Sequence, residues 1–192
     1  VTRWLHQSPP EIQPDRVIVK DMGCDLHEHF EVRTDEGWKR IQVLPDLNWD
    51  TATPEEEEAY WSLPLCIGRD YDLFAILAGV RNRLNVRPIV ACRGIPEDAS
   101  VEVREAWTQA KHAPEVHSPS WLSLEELSSF EWDQPLVHLD SAVAQDARWA
   151  RREIVTYRDA VSDTNFVAQG LAKLQTLVDD PRKLRMVFWF DS

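Results

Sequence analysis

Asp25, His27, His29 and Glu31 recur at every second position of the stretch Met22-Gly-Cys-Asp-Leu-His-Glu-His-Phe-Glu-Val32. In an extended strand, alternate side chains share a face. Two carboxylates then flank two imidazoles on one side, while Cys24, Leu26, Phe30 and Val32 make the other side apolar, with only Glu28 out of pattern. Two chemistries follow. His27 and His29, roughly 6–7 Å apart at Cα, have a spacing suited to sharing one divalent metal ion. Asp25 or Glu31 would complete or orient that site, with His117 as a remote ligand. Without a metal, Asp25 beside His27 suits proton transfer, the carboxylate orienting the imidazole. The solvated face of an antiparallel strand gives the same pattern with no chemistry at all.

A second group gathers around Arg69. Arg69, Asp70, Tyr71 and Asp72 open an apolar helical stretch, and a helix N-terminus attracts anions. Arg93 stands beside Gly94, so its guanidinium projects from a tight turn. Arg69, Asp72 and Arg93 are therefore candidates for binding phosphate or carboxylate, and surface ion pairing is the plainer account of the same residues. Cys24 falls on the apolar face and reads as a core thiol rather than a nucleophile. No Gly-rich phosphate loop, Gly-x-Ser-x-Gly elbow or His-Glu-x-x-His motif is present.

The elements that must position these residues are legible from pattern. Residues 23–33 and 38–44 read as a hairpin around Thr34-Asp-Glu-Gly37. A short helix starts at Thr53-Pro54, whose following glutamates are explained by the favourable helix start. The spacing of Leu73, Phe74, Ile76, Leu77, Val80 and Leu84 predicts a helix over 71–84, capped by Asp70 or Asp72. A short apolar strand over 88–92 and a turn over 93–98 follow. A helix over 101–111 starts after Ser100, and Ser123-Leu-Glu-Glu126 is a capping box. His117 precedes a Ser-Pro turn in a loop. A strand near 136–139, a polar helix around 141–151, a strand near 152–158 and a helix over 163–178 capped by Ser162 come next. An aromatic-rich strand over 185–190 closes the chain. The order predicts a single α+β domain over 22–192 with a small, mainly antiparallel sheet. Residues 1–21, with Pro9, Pro10 and Pro14, read as an N-terminal extension, and Met22 as the functional start.

Composition narrows the function classes. The chain has 192 residues, 43% of them hydrophobic, and a formal charge of −12. That charge disfavours direct binding to nucleic acid or to an anionic membrane and suits a surface that meets a basic partner. Three separated cysteines, Cys24, Cys66 and Cys92, form neither a disulfide framework nor a zinc knuckle, and point to a reducing cytoplasmic setting. The longest apolar stretch, 73–80, is far below the roughly 18 residues that span a bilayer. The 9 Trp are scattered, which favours structural roles.

Several stretches together resemble a family of uncharacterised bacteriophage and prophage proteins beginning Met-Gly-Cys-Asp-Ile-His. The matching pieces are Met22-Gly-Cys-Asp-Leu-His27, Arg69-Asp-Tyr-Asp-Leu-Phe-Ala-Ile-Leu-Ala-Gly-Val-Arg-Asn82, Arg93-Gly-Ile-Pro-Glu-Asp98, His117-Ser-Pro-Ser-Trp-Leu-Ser-Leu-Glu-Glu-Leu127 and Val187-Phe-Trp-Phe-Asp-Ser192. The resemblance implies no established activity. Its pattern commonly has an aromatic where His29 stands, so it moves interest from the His27–His29 metal pair to Asp25, His27, Arg69, Arg93, His117 and Asp191. Two functions are expected. One is a phage-type accessory protein whose polar pocket, built from Asp25, His27, Arg69, Arg93 and His117, binds or hydrolyses a small anionic, nucleotide-like ligand. The other is an acidic interaction module that inhibits or titrates a host factor without catalysis.

Overall fold

A computed structural model describes residues 23–137, 156–161 and 164–192. Four strands form one antiparallel sheet: β1 (Asp25–Thr34), β2 (Gly37–Ile41), β3 (Val116–Ser123) and β4 (Leu184–Asp191). Their order across the sheet is β2-β1-β4-β3, so the two longest-range partners, β1 and β4, form its centre. The α+β architecture with a small antiparallel sheet is as the sequence predicts. β1 and β2 make the expected hairpin, closed by Thr34 opposite Gly37 around the two-residue turn Asp35-Glu36.

The two faces of the sheet are covered differently. Leu26, Phe30 and Val32 of β1 stand beside Phe190, Met186 and Leu184 of β4 on one face. That face carries the main core, against α2 (Tyr71–Ala78), α4 (Leu124–Ser129), α5 (Tyr157–Ala160) and α6 (Leu171–Gln175). The opposite face is covered by α3 (Val101–Ala110), whose Val103 joins Ala99 and Val187 in a small cluster with Trp121. Each buried leucine or phenylalanine side chain contributes about 1.5–3 kcal/mol, so the main core dominates stability.

Caps set the helix starts. Thr53 and Glu56 form a capping box for α1 (Pro54–Trp61), Asp70 accepts from the amides of Asp72 and Leu73, and Ser123 and Glu126 form a second box for α4. Three expectations are corrected. The helix at 71 ends at Ala78 because Gly79 adopts φ 74°, leaving Val80 and Leu84 to reach the core from the following loop. Residues 88–92 form no strand; instead the Ile89 amide donates to the carbonyl of Ile76 and straps the loop to α2. The supposed loop at His117 is edge strand β3. A bulge places Ser118 and Pro119 between the pairs His117–Phe190 and Ser120–Phe188, and Ser118 takes φ 52°. Proline is tolerated at such a bulge on an edge strand.

Near the C-terminus the expected helix divides into a π-helical turn, Phe166–Gly170, and α6. Its Ser162 cap, the strand near 152–158 up to residue 155, the helix at 141–151 and residues 1–22 lie outside the described residues. Of the strand near 136–139, residues 136 and 137 are in no strand, and the neighbouring Pro135 bridges to Thr156. No helix among the described residues is long and apolar enough to cross a membrane.

Candidate functional site at the open edge of β1

The β1–β4 register places Asp25, His27, His29 and Glu31 opposite Asp191, Trp189, Val187 and Arg185, all on the α3 face. At the end of this row, Asp191 Oδ2 lies 3.0 Å from His27 Nε2. Asp25 forms a two-pronged pair with Arg69, at 2.5 Å from Nε and 2.8 Å from Nη2. That guanidinium rests on Gly23, where a Cβ would displace it. Its hydrogen bonds hold the Asp25 carboxyl below the usual carboxylate range. Four of the expected residues, Asp25, His27, Arg69 and Asp191, therefore meet at one exposed corner of the sheet.

The other two members of the expected pocket lie elsewhere. His117 is opposite Phe190, stacks on that ring at 6.0 Å, and so belongs to the core face, away from His27. Its ring nitrogens are taken by Ser118 and Ser192. Arg93 stacks on Trp121 at 4.2 Å and pairs with Glu126 at 2.6 Å. Asp72 stands in the first turn of α2, where Asp70 already accepts from the amides that would hold an anion. His117, Arg93 and Asp72 thus do not join Asp25 and His27 in one concavity.

The two histidines also part company. His29 packs on Trp189 at 4.7 Å with both ring nitrogens buried and unbonded, and burial lowers its pKa to about 4. An imidazole kept neutral is a competent ligand, but no group of three His, Cys, Asp or Glu side chains among the described residues is placed to hold a metal ion.

A concavity does exist beside β1, and sequence reasoning missed most of its lining. β2 pairs with β1 only as far as Phe30–Ile41, and the chain then leaves the sheet through Gln42–Asp46. The gap is a cleft of about 560 Å³ between the edge of β1 and that departing segment, bounded by Tyr60 and Glu102. Glu28, Asp46 and Glu102 line it as acids and Arg40 as a base, beside His27 and His29. Desolvation pushes the Glu28 carboxyl up to about 7, and Glu28 in turn helps raise Tyr60 and Cys66, whose own burial is the larger cause. The signal for this cleft was Glu28 itself, the one charged residue on the apolar side of the strand.

Backbone direction gives the cleft its character. The residues closing a two-residue hairpin turn exchange both hydrogen bonds, and the direction alternates along the strand. Thr34, Val32 and Phe30 therefore aim their N–H and C=O groups at β2, and Glu28 and Leu26 aim theirs at the same side after β2 has gone. The neighbouring Asp25 agrees, its N–H donating to Asp191 Oδ1 on the β4 side. Glu28 N–H lies within reach of its own carboxylate. Among the described residues, Leu26 N–H and C=O, with Glu28 C=O, have no ladder partner and face the cleft as a short open ladder. No family model, curated protein or solved structure matches this chain.

Proposed function

We propose that this protein is an acidic interaction module that takes up an extended, basic segment of a partner protein as an added strand along β1. The carrying observation is the open ladder at Leu26 and Glu28 facing a cleft of about 560 Å³. Main-chain bonds to a sheet edge supply affinity without regard to sequence, and flanking pockets supply selectivity. The edge between Asp25 and His29 is about 13 Å long, room for roughly four extended residues.

Charge sets the kind of segment. Asp46 and Glu102 against Arg40 are the charged groups lining the cleft, Glu28 holding its proton up to about 7, on a protein of net charge −12, so a basic segment is attracted and an anionic ligand repelled. This favours the interaction reading over a small anionic ligand, whose arginines are engaged elsewhere, with Asp25 and Glu126. On the resemblance to phage accessory proteins, we place the segment in a host factor that the protein inhibits or titrates.

Fluorescence anisotropy with two labelled hexapeptides, Arg-Thr-Arg-Val-Arg-Thr and Glu-Thr-Glu-Val-Glu-Thr, tests this reading. The basic peptide should bind at least tenfold more tightly, and Asp46→Lys with Glu102→Lys should remove most of that preference. Equal binding of both peptides, or none of either, contradicts the proposal.

A further inference from the structure

Tyr60 of the cleft wall carries two further rings beside it, Trp49 and Trp61, and none of the three belongs to the core. Trp49 lies 5.2 Å from Tyr60 and 5.4 Å from Trp61, and Tyr60 lies 5.8 Å from Trp61, centroid to centroid. Trp49 is 49% exposed and Trp61 53%, although indoles are normally buried deeply. α1, which carries Tyr60 and Trp61, has no buried residue. Packing therefore does not account for two half-open indoles side by side.

Their surroundings are acidic. Glu55, Glu56, Glu57 and Glu58 lie along α1, and Asp50 follows Trp49. Tyr60 links this patch to the cleft, since it lines the cleft and Asp46 and Glu28 both act on its hydroxyl. A cation over an indole face within about 6 Å is attracted by the ring quadrupole, by about 0.5–1 kcal/mol when exposed. Surrounding carboxylates add to that attraction. Guanidinium suits the site better than ammonium because it is planar, weakly hydrated and stacks on rings. The protein already uses this pairing internally, with Arg185 at 4.0 Å over Trp38 and Arg93 at 4.2 Å over Trp121.

We propose that Trp49 and Trp61, braced by Tyr60, form the anchoring site for an arginine side chain of the segment bound along β1. This rests on the interaction reading and adds a selective contact to it. Arginine rather than lysine is the residue selected, because a flat, weakly hydrated guanidinium stacks on the exposed indole faces better than a compact, strongly hydrated ammonium.

The test compares three hexapeptides, Arg-Thr-Arg-Val-Arg-Thr, its lysine counterpart and its citrulline counterpart, on the full chain and on Trp49→Ala/Trp61→Ala. The wild type should bind the arginine peptide about fivefold more tightly than the lysine peptide and at least tenfold more tightly than the citrulline peptide. The double variant should lose the arginine-over-lysine preference while retaining a preference for charge. Trp49→Phe/Trp61→Phe, which keeps the rings but weakens their negative faces, should lie between and guards against a folding defect. An arginine preference unchanged in both variants, or absent from the wild type, overturns the proposal. Retention of arginine preference in the wild type without protection of the Leu26 amide would instead overturn strand addition and leave the aromatic site standing.

Discussion

Glu31 and Arg185 face each other across the central ladder and form a 2.7 Å ion pair whose side chains are 0% and 4% exposed. The pair is embedded in a network rather than isolated. Ser100 N–H donates to Glu31, Asp98 accepts from Arg185, Arg33 and Trp38, and the Arg185 guanidinium lies over Trp38. This network ties the loop before α3 to the sheet and so fixes the cover on the face that also carries His27 and Asp25.

Removing one member leaves the other charge buried. Glu31→Gln should destabilise the fold by about 3 kcal/mol, at the lower end for broken buried pairs because Asp98 still meets Arg185. Glu31→Gln with Arg185→Met should cost less than the sum of the single variants. Urea denaturation reads both, and a single-variant loss below about 1 kcal/mol contradicts the assignment.

The pair at the sheet corner should behave differently. Arg69 and Asp25 are 59% and 46% exposed, so solvent screens their attraction despite good geometry. Asp25→Asn should change stability by less than about 1 kcal/mol. A loss as large as that of Glu31→Gln would mean that this corner is structural after all.

Glu28 and His29 give opposed pH dependences. Glu28 holds its proton in the folded state up to about 7 against an ordinary value of 4.5, so its contribution is full below 4.5 and lost as pH rises through 7. His29 has its pKa lowered from 6.5 to about 4, so its contribution is full above 6.5 and lost as pH falls through 4. Between pH 4.5 and 6.5 the two slopes oppose. Relative to wild type, Glu28→Gln should gain stability as pH rises through this window, by at most about 1.4 kcal/mol per pH unit. His29→Phe should lose stability with rising pH by a similar slope. Parallel profiles for wild type and both variants would contradict these environments.

Gly170 tests the packing of the π-helical turn. A Cβ there would collide with the Pro64 carbonyl oxygen and crowd Leu65. Alanine gains about 1 kcal/mol of helix propensity, but overpacking against backbone costs about 1–3 kcal/mol, so the loss should win. Gly170→Ala should therefore lower the urea midpoint; a raised midpoint would show that the turn yields freely.

Much of the fold was legible because its signals were local. Alternation over residues 24–32 gave β1 its two faces, and Thr53, Asp70, Ser100 and Ser123 marked real helix starts. β3 was not legible, because Ser118-Pro119 reads as a loop wherever the bulge that accommodates it is invisible. Arg93 and His117 looked like site residues, yet their partners, Glu126 with Trp121 and Ser192 with Phe190, depend on long-range pairing. The cleft was hidden for a similar reason: it depends on where β2 leaves β1, and only Glu28 hinted at it.

Amide hydrogen exchange at Leu26 reads strand addition along β1 at the backbone group that would make it. The open ladder leaves this N–H facing the cleft, so in the free protein it should exchange quickly beside the protected amides of His27 and His29. With saturating Arg-Thr-Arg-Val-Arg-Thr, Leu26 should slow by at least tenfold as the added strand accepts its hydrogen bond. Saturated binding without any slowing at Leu26 would contradict strand addition along β1.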